Sequence, residues 1–133
     1  MKYFKAQVIK LLVVFFENDF KRIEHALDVL KYAEELTNCK DTYDVDIIIA
    51  STLLHDVGIK QSEKELGYND GKSQEQYGPL VAGELLKSID FPEEKIKKVK
   101  EIIGNHHSPS RYEYVELAIL KEADRIVNEK EEI

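Results

Sequence analysis

The chain has 133 residues, a formal net charge of -7, 34% charged and 43% hydrophobic residues. This length suits one domain over residues 1–133, with a core large enough to need no covalent staples. The acid excess argues against a nucleic-acid polymer as partner, because phosphates must be met by a basic stripe. A single cysteine, Cys39, rules out an internal disulfide and a thiolate-rich metal site, and a reducing cytoplasm is the expected location.

Met1 to Lys5 followed by the apolar run Leu11 to Phe16 faintly resembles a signal peptide, but Lys10 interrupts it and no small-residue cleavage site follows. Six apolar residues also fall far short of the roughly 20 needed to cross a bilayer, so no membrane association is expected. Phe4, Val8, Leu11, Leu12 and Phe15 instead recur at helical spacing and predict a helix over 2–17. Asp19 is placed to cap a second helix reaching Leu36, with Ile23, Leu27 and Leu30 on one side. His25 shares the adjoining side with Val29, Tyr32 and Leu36, which sets its imidazole at the border of the buried face.

Asp44 opens a third helix whose middle, Ile47 to Ala50, is apolar all round and reads as the central rod of a bundle. A strand is disfavoured, since no other segment alternates with period two to pair with it. Gly58 offers a left-handed stop, placing His55 and Asp56 on the last turn of the rod. Ser62 with Glu65, Ser73 with Gln76 and Ser110 with Glu113 read as capping boxes at three further helix starts. Between the first two, Gly67 to Lys72 is a candidate mobile loop over a site. Pro92 with Glu93 and Glu94 starts another helix, which Gly104 ends, and Glu129 to Glu132 reads as a solvated tail. The sum is all-α: a compact single-domain bundle of about six helices.

Adjacent residues on a helix point about 100° apart, but a helix end lets His55 and Asp56 reach one point. An ionised Asp on an apolar rod needs a partner. Asp124 poses the same problem, sharing a helix side with Leu117, Leu120 and Val127. Two inward carboxylates without an obvious inward cation repel each other, and a divalent ion removes the conflict while leaving the histidines neutral. Taken singly, each of these residues is better read as a satisfied polar group, a cap or an ion-pair member.

Together, His25, then His55-Asp56 within Leu53-Leu54-His55-Asp56-Val57-Gly58, then Ala123-Asp124-Arg125 resemble the signature of the HD superfamily over nearly the whole chain. Gly58-Ile59-Lys60, Gln74-Glu75, Gly78-Pro79 and Ile103 to His107 also resemble a set of small bacterial HD proteins. The resemblance implies a helical bundle, with His25, His55, Asp56 and Asp124 as metal ligands. It implies a phosphohydrolase, a phosphomonoesterase or phosphodiesterase, acting on a nucleotide or another small phosphorylated metabolite through metal-activated water. Two-metal members typically place an extra His in the segment equivalent to Gln74-Glu75-Gln76; its absence here favours one ion per chain.

His106 follows a helix C-terminus and matches a downstream family histidine near the site, so it joins the pocket as a secondary ligand candidate. His107 reads as a capping or surface residue, and Glu75 as a weaker candidate proton acceptor or as a first-turn acid. Asp56 serves as ligand and orients water; Lys60, Lys72 and Arg125 are the cations near the motif that would neutralise phosphate, or else surface charges. Two imidazoles with two carboxylates suit Fe or Mn, with Co, Ni and Zn also admissible. The competing functions are a di-iron HD-type oxygenase, which the missing histidine disfavours, and a non-catalytic nucleotide-binding module. Val14 and Phe16 lie beyond the main stripe of the first helix, so monomer and homodimer both stay open.

Overall fold

The computed structural model describes residues 1–40 and 42–131. Seven α-helices follow one another, α1 (Phe4–Phe16), α2 (Phe20–Leu36), α3 (Val45–Leu54), α4 (Gly58–Leu66), α5 (Gly71–Lys87), α6 (Glu93–Ile103) and α7 (Val115–Glu131), with a 3-10 turn at Thr37–Cys39 after α2. No strand occurs among the described residues. The all-α expectation therefore holds, and the seven helices among the described residues agree with the expected bundle of about six.

Helix α3 is the axis of the fold. Every residue from Ile47 to Leu54 is buried, and α1, α2, α6 and α7 pack around it. Removing each Leu or Ile side chain from water contributes roughly 1.5–3 kcal/mol, which is what holds such a short rod in place. Its two buried hydroxyls add no unmet polar group, since Thr52 Oγ1 donates to the Ile48 carbonyl at 2.6 Å and Ser51 Oγ reaches the same carbonyl at 3.4 Å. Asp44 caps its start through Ile47 N–H at 3.2 Å. Asp19 caps α2 through Arg22 N–H at 3.4 Å. Val29, Leu30 and Ala33 of α2 are buried with His25 and Ala26, whereas Leu27 is exposed, because α2 turns its buried side toward α3 and α7.

Four punctuation readings change. Gly58 does not stop α3 in a left-handed turn: Leu54 ends that helix, His55 caps it in right-handed geometry, and Gly58 starts α4. The glycine is needed for contact rather than for φ, since a Cβ there would lie 2.5 Å from the backbone nitrogen of Gly78. Ser62 lies inside α4 instead of capping it, its Oγ 2.6 Å from Ser73 Oγ and 2.8 Å from the Tyr68 carbonyl. Ser73 is the third residue of α5, whose cap is Asp70; the two exchange hydrogen bonds at 2.8 and 2.9 Å. Ser110 precedes α7 by a loop and accepts from Lys121 Nζ at 2.6 Å.

Gly67, at φ 78°, closes α4 in the left-handed conformation that glycine tolerates best. The candidate mobile loop is thus a short link, Gly67 to Asp70, between α4 and α5. Phe16, expected beyond the core stripe, is buried, while Val14 is exposed. No helix among the described residues is long and apolar enough to cross a membrane.

Candidate metal centre

Four helix ends and faces meet beside the C-terminal end of α3. His25 comes from α2, Asp124 from α7, and His55 and Asp56 from the three-residue link between α3 and α4. His25 Nε2 lies 3.1 Å from Asp124 Oδ1 and 3.4 Å from Asp56 Oδ2. His55 Nε2 lies 3.3 Å from the same Asp124 oxygen and 3.2 Å from the same Asp56 oxygen. Two imidazole nitrogens and two carboxylate oxygens thus face one another around a single small space.

The second nitrogen of each ring decides what the first can do. His55 is fully buried, and its Nδ1–H donates to the Thr52 carbonyl at 2.7 Å. In the neutral ring Nε2 then carries a lone pair, and it has no hydrogen-bond partner. A lone pair aimed at two carboxylates is repulsive unless a proton or a cation stands between them. His25 is oriented in the same sense, with Nδ1 2.9 Å from Glu131 Oε2, an outer carboxylate of the kind that fixes the tautomer of a metal-binding imidazole. The donor set of two neutral imidazoles and two carboxylates fits a hard or borderline divalent ion.

Electrostatics agree with the geometry. Burial works against the imidazolium of His55, but the Asp56 and Asp124 carboxylates outweigh it and hold its pKa well above the ordinary value. Burial likewise opposes protonation of His25, where the hydrogen bond to Asp124 tips the balance upward. Burial would raise Asp56, yet the imidazoles of His55, His106 and His25 bring it down to about 2. Against the same burial, His25 and His55 hold Asp124 below the usual carboxylate range. In the metal-free chain these groups store their charge as imidazolium–carboxylate pairs, the state that a cation replaces.

A second group adjoins the first. Asp56, His106 and His107 offer ligand atoms within 4.8 Å of one another, just as His25, His55 and Asp56 do. His106 is buried behind α6, its Nδ1–H donating to the Ile103 carbonyl and its Nε2 without a partner. Burial and the neighbouring His55 and His107 push its pKa down to about 3, so it stays neutral near neutrality. His107 is exposed, as expected of a surface residue, but it also joins the site, its ring 3.9 Å from that of His106 and its Nε2 2.6 Å from Gln74 Oε1.

The remaining candidates are dispersed. Glu75 Oε2 accepts from His107 N–H at 3.0 Å and from Ser108 Oγ at 2.7 Å, so this carboxylate ties down the loop that carries the histidine pair. Lys60 Nζ donates to the Phe15 carbonyl at 3.0 Å. Arg125 is exposed and pairs with Glu122 and, at 2.6 Å, with Glu129; Lys72 is exposed at the start of α5. The cations that line the opening beside His25 and Asp56 are instead Lys21 and Arg22, in a cavity of 270 Å³ shared with Asn128 and Glu131. The acidic end is not a free tail through Glu131, since α7 continues to that residue; Glu132 lies outside the described residues. Glu131 was findable, because it stands two turns after Asp124 on the same helix face.

Comparison with known proteins points the same way. A family model described as HD domain matches residues 22–129. The fold is similar to the crystal structure of a predicted HD superfamily hydrolase from an uncultured Thermotogales bacterium, with a TM-score of 0.71 and 23% identity. That match covers 91% of this chain and 66% of the other, so this chain spans just under two thirds of that relative's length. No protein with a curated description matches the sequence.

Proposed function

Because the chain belongs to the HD domain family, we propose that it is a metal-dependent phosphohydrolase acting on a small phosphorylated metabolite, with His25, His55, Asp56 and Asp124 as the ligands of one divalent ion. The observation that carries this reading is the buried, unpartnered Nε2 of His55 facing two carboxylates at 3.2 and 3.3 Å. A bound divalent cation would supply Lewis acidity at a phosphoryl oxygen and a lowered pKa for water.

The protein's own groups have distinct tasks in this reading. Thr52 and Glu131 hold the two imidazoles in the tautomer that leaves Nε2 free. Asp56, with one oxygen committed to the histidines, orients the attacking water through the other. Its carboxyl, held at about 2, is a weak base, so it positions water rather than taking a full proton. His106, buried with a free Nε2 and held at about 3, is likewise too weak a base to keep a proton, and it offers a lone pair as ligand or hydrogen-bond acceptor on that side. Lys21 and Arg22 neutralise the phosphate because they line the opening, Lys21 with no ion-pair partner among the described residues and Arg22 while paired with Asp19 at 2.6 Å; Lys60 and Arg125 are held elsewhere. Glu75 supports the histidine pair through the loop it fixes.

Metal analysis of the protein grown with Fe and Mn, followed by a panel of phosphate monoesters and diesters, tests the reading. One ion per chain with turnover of a phosphate ester supports it; one ion and no turnover of any ester counts against it. A second reading, two irons and oxygen chemistry, is favoured by one observation, that Asp56 belongs to both ligand groups. Two irons per chain with consumption of dioxygen would replace the hydrolase.

A further inference from the structure

We propose that Phe20 is the specificity-determining residue for the part of the substrate that leaves the site, a stacking platform that selects phosphate esters bearing a flat heteroaromatic ring over sugar or polyol phosphates. This rests on the hydrolase reading above. Phe20 is the first residue of α2 and is 70% exposed. It takes no part in the core or in the partly buried shell around it, and the cap of α2 is made by Asp19 without it. Folding therefore leaves its ring face unused, at a cost in exposed apolar area.

Its position gives the ring a use. Phe20 lines a cavity of 400 Å³ together with Lys21, Glu24, His25 and Glu131, so an exposed aromatic face and a metal-facing histidine share one opening. Phe20 and His25 are five positions apart, about 7.5 Å along the helix axis and about 140° around it, and the two line one opening from different sides. Lys21 lines this cavity and the adjoining one that reaches Asp56, and it has no ion-pair partner among the described residues. It is placed to meet the phosphate between ring and metal. Glu24, one turn after Phe20 and also without an ion-pair partner among the described residues, offers an acceptor to ring N–H or amino groups. An acid beside the ring favours a heteroaromatic ring with donors over a plain phenyl group. The net charge of -7 keeps the ligand small rather than polymeric.

The sequence contains no tryptophan, so Phe20→Trp introduces a single tryptophan, selectively excited beyond the tyrosine absorption, at the proposed platform. Titration of this variant with adenosine monophosphate should quench its emission, adenosine should quench it more weakly, and ribose 5-phosphate should leave it unchanged. Tyr3→Trp, at another exposed aromatic position, should respond to none of the three. In turnover, Phe20→Ala should shrink the KM advantage of adenosine monophosphate over ribose 5-phosphate by about tenfold or more, the usual worth of one base stacked on an aromatic side chain, while Phe20→Tyr retains it. Equal quenching by ribose 5-phosphate, or a KM ratio that Phe20→Ala does not change, overturns the platform. Quenching by the nucleotide without hydrolysis of any phosphate ester keeps the platform and discards the hydrolase. Hydrolysis of both esters with equal KM and no quenching does the reverse.

Discussion

His55 hangs its Nδ1–H on the carbonyl of Thr52, 2.7 Å away and one turn earlier in the chain, and this turns its other nitrogen toward Asp56 and Asp124. A backbone acceptor cannot be removed by substitution, so the tautomer is set by the course of α3 itself.

Metal binding should be linked to protons. Burial lowers the pKa of His55, but Asp56 and Asp124 outweigh it, so the folded value lies above the ordinary value of 6.5. The stabilisation from the protonated, metal-free arrangement is complete below 6.5 and is lost as pH rises through the raised folded value. A metal needs the neutral ring, so its affinity moves the other way and strengthens with rising pH, about tenfold per pH unit while one proton is displaced. Calorimetric titration with Mn²⁺ from about pH 6 to about pH 8, in buffers of different ionisation enthalpy, reads both slope and proton release; a flat profile would contradict the pairing seen between His55 and the two carboxylates.

Removing the metal should lower thermal stability. An ion at about 100 times its Kd stabilises the fold by about 2.7 kcal/mol, which for a chain of this size is on the order of 10 °C in Tm. Thermal denaturation with and without chelator measures it. In Asp124→Ala the chelator should have little further effect.

Glu131→Gln should weaken metal binding by about 10–100-fold, the usual loss when an outer carboxylate of a metal-binding histidine is removed. Its carboxylate is partly exposed, so the Tm of the metal-free protein should change little. A variant that loses stability without losing metal affinity would show that the contact with His25 serves α7 rather than the site.

Gly58→Ala should be strongly destabilising. Its Cβ would stand 2.5 Å from the backbone nitrogen and 2.8 Å from the Cα of Gly78, atoms that cannot swing aside. Overpacking of this kind typically costs about 1–3 kcal/mol. Chemical denaturation gives the magnitude, and a matching loss of metal affinity is expected because the displaced turn carries Asp56.

Glu116 offers a test away from the centre. This buried carboxylate accepts from Asp44 N–H at 2.8 Å and lies 3.0 Å from Lys98 Nζ. Glu116→Ala strands both partners and should cost about 1–3 kcal/mol, with metal affinity unchanged; Glu116→Gln should recover part of the loss.

The proposed ligands were legible jointly rather than singly: carboxylates on an apolar rod and on the apolar side of α7 call for an explanation, and His25 joined them only through the order in which the four residues occur. The caps were less legible because Ser-x-x-Glu records only a local possibility, and Ser62 spends its hydroxyl on a neighbouring helix instead. Gly58 was misread for a related reason, since the same residue serves a left-handed turn and a close backbone approach, and only the position of Gly78 separates the two. Phe20 and Lys21 were hidden by their exposure: nothing in composition marks one surface residue as facing an opening, whereas the spacing of Glu131 from Asp124 does mark it.

Asp56 sits in both ligand groups, so its effects will not be separable by single substitutions. Paired with His25 or with His106, its replacement should cost far less than the sum of the two separate losses, whereas His25 and His106, which share no ligand group, should come closer to additivity. The one carboxylate is a common node, and the network around it can be traced in solution by double-mutant cycles on metal affinity.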